Sequence, residues 1–176
     1  MPVMSAGILL FRIVPGSGGA SGDGKSDGGK PAFEVLIAHM GGPFWARKTE
    51  GAWTIPKGEF DPDTESALDA ARREFAEELG IAAPDAEYAE LGTFPYSSGK
   101  RVVVFVGDGA RFAPATFEYG TFELEWPPRS GRMVEFPEVD DARWVGADEA
   151  SVLLVKGQRP ALDALAKHLG EARESV

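Results

Sequence analysis

The chain contains no cysteine, which removes disulfides, a thiol nucleophile and a thiolate zinc site together. Its two histidines, His39 and His168, are too few and too scattered for a zinc cluster. No apolar run approaches the roughly 18 residues of a spanning helix, so no membrane partner is expected. The opening MPVMSAGILLFRIV lacks a basic leader and runs on in a strand-like pattern, so no signal peptide is expected and a cytoplasmic location is. Basic side chains are scarce: 18 Lys and Arg stand against 28 Asp and Glu, a net charge of −10. Duplex binding depends on neutralising phosphates with cations, so nucleic acid is not expected as the main partner. A small phosphorylated ligand that arrives with its own metal remains compatible with this charge.

What is present suffices for one domain, 1–176, since 176 residues at 43% hydrophobic content can bury a core. Ser5 to Val14 reads as a strand rich in Ile, Leu, Phe and Val, with Ala32 to Met40 as its antiparallel partner. Between them PGSGGASGDGKSDGGK is too poor in apolar groups to order itself, so a mobile loop is expected at 15–31. A glycine-rich loop cradles phosphate where it opens a helix; here a strand pattern follows, and a linker is expected. Further strands are expected at Gly51 to Lys57, Tyr88 to Phe94, Arg101 to Val106, Thr116 to Trp126 and Ala142 to Val145, with a turn at Ser97 to Lys100 and a helix from Pro160 to Leu169.

The chemistry concentrates in GEFDPDTESALDAARREFAEELGI, Gly58 to Ile81. At about 100° per residue, Glu74, Glu77 and Glu78 share a sector of about 100° on one helix face. Leu68, Ala71, Phe75 and Leu79 form an apolar stripe beside them, so the acids border buried surface. Solvated carboxylates at this spacing repel by a few tenths of a kcal/mol per pair; a hard cation such as Mg²⁺ turns that repulsion into affinity. An exposed acidic face with Arg72 and Arg73 pairing locally is the competing reading. Asp63 and Thr64 are each able to cap the helix, Gly80 suits its left-handed end, and Ala67 and Ala70 leave space below the acids.

The segment resembles the box of the Nudix hydrolase family, GX5EX7REUXEEXGU with U a bulky apolar residue. Gly58 matches the first glycine, and Arg73, Glu74, Phe75, Glu77, Glu78, Gly80 and Ile81 match REUXEEXGU position for position. Glu65 matches the isolated glutamate with one extra residue in the loop before it, where an insertion costs little. The resemblance implies an α/β (α+β) fold, a Nudix-like α/β/α sandwich with a mixed β-sheet between helices. It also implies Mg²⁺-dependent hydrolysis of a pyrophosphate linkage in a nucleoside diphosphate derivative, with Mn²⁺ as a substitute. Glu74, Glu77 and Glu78, with Gly58, are then the metal-binding set, and Arg73 orients Glu74 by a charge-assisted pair. Several family branches carry a glutamate general base in a late loop, for which Glu135 and Glu138 are the candidates; Glu138, six residues before Trp144, is preferred.

GGPFWARKTEGAWTIPKGEF and TFELEWPPRSGR resemble a bacterial Nudix subgroup usually described only as predicted NTP pyrophosphohydrolases. In these segments Trp45, Arg47, Lys57 and Arg129 are candidates for substrate binding, with Phe44 and Arg132 beside them, because aromatic faces stack bases and cations meet phosphate. Packing accounts equally well for Trp45. The placement of WPPRSG favours dinucleoside polyphosphates within the class, and a homodimer is expected from the family habit. A noncatalytic Nudix domain acting as a nucleotide sensor is the alternative, and the intact acid set argues against it.

Overall fold

The computed structural model describes residues 2–15, 32–96 and 98–174; apart from Pro15, the loop expected at 15–31 lies outside them. Within that loop GASGDGKS, residues 19–26, has the glycine and lysine spacing of a phosphate-binding loop. The described residues resume at Ala32 and enter a strand at Phe33.

Strand β1 (Met4–Ile13) is the centre of a seven-stranded sheet. Its residues Ala6 to Leu10 are buried on both faces, which explains a continuous apolar run instead of alternation. On one side β1 runs parallel to β6 (Arg101–Asp108), which pairs antiparallel with β5 (Ala89–Pro95). Its other edge is shared: Met4 to Gly7 pair with β4 (Lys57–Phe60), and Phe11 to Ile13 with β2 (Phe33–Met40). Strand β2 also pairs with β3 (Trp53–Thr54) and β9 (Val139–Gly146). Strands β7 (Thr121–Glu125) and β8 (Met133–Pro137) form a separate hairpin.

The two faces carry two cores. Ile8, Leu10, Leu36, Val103 and Phe105 pack against Ala71, Phe75 and Leu79 of helix α1 (Ala67–Leu79). Leu9, Val35, Ile37, Val104 and Val106 pack with Leu153 of α2 (Ala147–Leu153) and Leu162 and Leu165 of α3 (Pro160–Glu174). The architecture is therefore the expected sandwich of a mixed sheet between helices.

Several local expectations change. Helix α1 is capped by Ser66, whose Oγ accepts from the Asp69 N–H at 3.2 Å, not by Asp63 or Thr64, because a turn closing on the Asp61 carbonyl uses up the chain before it. The strand expected over Gly51 to Lys57 is broken at Ile55 and Pro56, where the Pro56 carbonyl accepts from the Ile8 N–H across the sheet. Thr116 to Gly120 is a loop tied to the end of α1, leaving only Thr121–Glu125 as strand. Gly80 adopts the left-handed conformation expected of it, with φ 68°.

Candidate active site

Four elements meet at the acids. Helix α1 presents Glu74, Glu77 and Glu78; β4 starts with Lys57 and Gly58 against that helix; the loop before β7 covers its last turn; and the β8–β9 junction brings Glu138. The loop is fixed by backbone bonds: Glu118 N–H donates to the Leu79 carbonyl, Gly120 N–H to the Glu78 carbonyl, and Glu138 N–H to the Gly120 carbonyl. A Cβ on Gly120 would lie 2.6 Å from the Glu77 carbonyl oxygen and 3.2 Å from Glu138 Oε2, so only glycine lets these pieces close together.

Gly58 is required for space. Its φ is not in the left-handed range, and a Cβ there would collide with the Glu74 carboxylate. What this position needs is the missing side chain, not an unusual backbone conformation. The Glu74 carboxylate lies directly against the β4 backbone.

Arg73 organises the acidic face. Its Nη1 donates to Glu74 Oε1 at 2.6 Å and to Glu77 Oε2 at 3.2 Å, while Nε and Nη2 form a fork on Glu65 at 3.0 and 2.9 Å. Glu65 thus takes a definite place despite the inserted residue: it anchors the arginine. Among the described residues no group of three or more His, Asp or Glu side chains is assembled to hold a metal ion. Arg73 engages Glu74 and Glu77, and Glu78 turns one oxygen to the Lys57 N–H at 3.0 Å.

Glu78 is 9% exposed. Burial pushes its carboxyl up to about 8, with Glu138 and Glu74 adding repulsion and Lys57 opposing it. Glu138 is raised as well, by partial desolvation and then by Glu74 and Glu77. Burial lowers the Lys57 ammonium, against the attraction of Glu78. Glu74, Glu77, Glu78, Glu138 and Lys57 therefore occupy one electrostatic neighbourhood. Glu135 instead lies on β8, exposed, opposite Glu123.

Lys57 also lines a cavity of about 340 Å³ with Met40, Trp45, Thr54, Tyr96 and Gln158. Trp45 packs against the core and forms part of this wall, with the Lys48 ammonium 4.8 Å over its ring. Arg47 and Arg129 do not join it: both are exposed, Arg129 at the tip of the β7–β8 hairpin with φ 65°. Phe44 is exposed too, its ring edge-on to Trp126 at 5.4 Å. Arg132 is exposed at the start of β8. The sequence reading missed Met40, Thr54, Tyr96 and Gln158, which no local motif connects.

The family model of the NUDIX domain matches residues 26–166. A crystal structure of a Caenorhabditis elegans Ap4A hydrolase superposes with a TM-score of 0.59 at 19% identity, covering 96% of this chain and 99% of that one. A MutT protein from Methanosarcina mazei does so with a TM-score of 0.54 at 18% identity, covering 95% of each. An uncharacterised 17.7 kDa protein from the e-segB intergenic region of bacteriophage T4 is 48% identical over 54 residues, 30% of this chain and 36% of the phage protein. The chain thus spans about a third of the length of that curated relative. With the family model covering most of its length and the fold in agreement, the chain belongs to the NUDIX domain family.

Proposed function

We propose that the protein hydrolyses a pyrophosphate linkage in a nucleoside diphosphate derivative, by attack of water on phosphorus, with a divalent cation, Mg²⁺ or Mn²⁺. The observation that carries this reading is Glu78, a buried carboxyl beside Glu74, Glu138 and Lys57, the last of which also lines a cavity. A cluster of this kind costs stability unless a cation or a phosphate group takes part.

The donor chemistry fits a hard cation. Every candidate ligand is an oxygen, and there is no thiolate or imidazole among them. Glu74, Glu77 and Glu78, with the Gly58 backbone, would hold it, in competition with the Arg73 guanidinium for the oxygens of Glu74 and Glu77. Once bound, the ion would neutralise phosphate oxygens and acidify water. Arg73 keeps Glu74 seated against Gly58, and Lys57 offers a positive charge to the phosphate chain. Glu138, with its raised proton affinity, is the candidate to take a proton from the attacking water. Within the class we favour dinucleoside polyphosphates, on the placement of the WPPRSG loop.

The test is initial-rate hydrolysis of NTPs, dinucleoside polyphosphates, ADP-ribose and nucleotide sugars with Mg²⁺, comparing wild type with Glu78→Gln. Turnover of one compound by wild type, reduced at least a hundredfold in Glu78→Gln, is expected. Equal background rates in both proteins would leave nucleotide sensing as the better account.

A further inference from the structure

The cavity beside Lys57 contains a hydrogen-bond network whose polarity can be read completely. Gln158, fully buried in the 3₁₀ turn Lys156–Gln158, accepts from the Ile55 backbone N–H through Oε1 at 2.6 Å. A backbone N–H can only donate, so this bond fixes which end of the amide is oxygen. The amide nitrogen therefore faces the Thr54 hydroxyl at 2.8 Å and the Tyr96 phenol oxygen at 2.6 Å, and donates one proton to each. Thr54 passes its own proton to the Ile55 carbonyl at 2.9 Å. The Tyr96 hydroxyl has accepted, and its proton has no acceptor among the described residues.

That proton belongs to the cavity wall, since Thr54, Tyr96 and Gln158 all line the same space. Burial holds the Tyr96 phenol above its ordinary value, so it stays a donor at neutral pH. The ring cannot easily swing away: it lies against Gly157, where a Cβ would meet ring carbon Cε1 at 2.6 Å. The remaining wall has Met40, Trp45 and Val155 beside Ser98, Lys57 and Lys156, and no carboxylate. Such a space suits a flat, acceptor-bearing group attached to an anionic chain that leads past Lys57 to the acids.

Resting on the proposed nucleotide chemistry, we infer that this cavity receives the nucleoside base, and that Tyr96 is a specificity-determining residue whose hydroxyl donates to a carbonyl oxygen or ring nitrogen of that base. Gln158 is a positioning residue: by donating to the phenol oxygen it compels the phenol proton to face the ligand. A site built this way discriminates against a base that presents an amino group at that point, because two donors would then meet.

The experiment measures binding without turnover. The four ribonucleoside 5′-monophosphates and, as a base-free probe, phosphoribosyl pyrophosphate are titrated in EDTA by calorimetry or tryptophan fluorescence against wild type, Tyr96→Phe and Gln158→Met. The expected result is a three- to tenfold loss of affinity in Tyr96→Phe for the best-bound nucleotide, with affinity for the base-free probe held within twofold. Gln158→Met should give a similar base-dependent loss, and the double variant should lose no more than the larger single effect, as two residues of one network do. Equal losses for nucleotide and base-free probe, or no loss for any nucleotide, would overturn the inference. Hydrolysis can fail while the base-dependent loss persists, in which case the catalytic reading falls and the base pocket stands; turnover with Tyr96→Phe binding every nucleotide as wild type does is the reverse outcome.

Discussion

Glu78 shows how one residue is made both costly and useful. It belongs to the acidic stripe by helical spacing, yet the loop at 118–120 and the start of β4 close over it, so it is buried with α1's apolar side chains. Its carboxyl is raised to about 8, so in the metal-free protein the folded state holds a proton that the unfolded chain releases near 4.5. Between those values the folded state binds more protons, and stability must decline as pH rises. In EDTA, thermal melts should show the midpoint falling between pH 5 and 8; Glu78→Gln should flatten that slope, and a slope that persists in the variant would assign it elsewhere.

Gly58 and Arg73 carry the other residue-scale consequences. Gly58→Ala places a methyl group where the Glu74 carboxylate sits, so the acid or β4 must move. Overpacking of this kind costs about 1–3 kcal/mol. A fall in denaturant midpoint together with loss of hydrolysis is expected, and wild-type values for both would refute the contact. Arg73→Lys cannot reproduce a fork on Glu65 together with bonds to Glu74 and Glu77. Because Arg73 is 38% exposed, the stability change should stay below about 1 kcal/mol. The activity should fall at least tenfold, a split that urea titration beside kinetics would reveal.

At the scale of elements, legibility followed how locally each element is determined. Strands β1, β2 and β6 carry long apolar runs, and α1 carries both its amphipathic stripe and the box, so their residues announce them. Helix α2 did not show itself: its seven residues are too few to hold a helix alone, and Ala150 and Leu153 make it one by packing under the sheet. Strand β8, MVEFP, looks like an acidic, proline-ended loop until Val134 and Phe136 are set opposite Leu124 and Phe122. The site divided in the same way. The acids and Arg73 were legible from spacing within one helix, whereas Thr54, Tyr96 and Gln158 are brought together over separations of up to 104 residues. The cap of α1 gives a test confined to this scale. Ser66→Ala removes the acceptor of the Asp69 N–H and should cost about 1 kcal/mol, measured by chemical denaturation, with the acids undisturbed. An unchanged midpoint would return the cap to Asp63 or Thr64.

For the whole molecule, the important fact is that the proposed site spans both layers. The acids lie on the α1 face, the cavity on the α2–α3 side, and Lys57 belongs to both neighbourhoods through β4. A nucleotide with its cation would then tie together two cores that share only the sheet. Because the acids are held by Arg73 and a hard cation prefers to complete its shell with phosphate oxygens, neither ligand alone should stabilise strongly. Mg²⁺ with a non-hydrolysable nucleotide at a hundred times its dissociation constant adds about 2.7 kcal/mol by mass action. For a chain of this size that corresponds to a rise of about 5–10 °C in melting temperature. Scanning calorimetry should therefore show a rise with both ligands that exceeds the sum of the rises with each. Glu78→Gln should abolish the excess by weakening the cation's grip, and Tyr96→Phe should reduce it by weakening the base's. Strictly additive shifts in wild type would mean that cation and nucleotide bind independently, and the proposed continuity from acids through Lys57 to the cavity would be wrong.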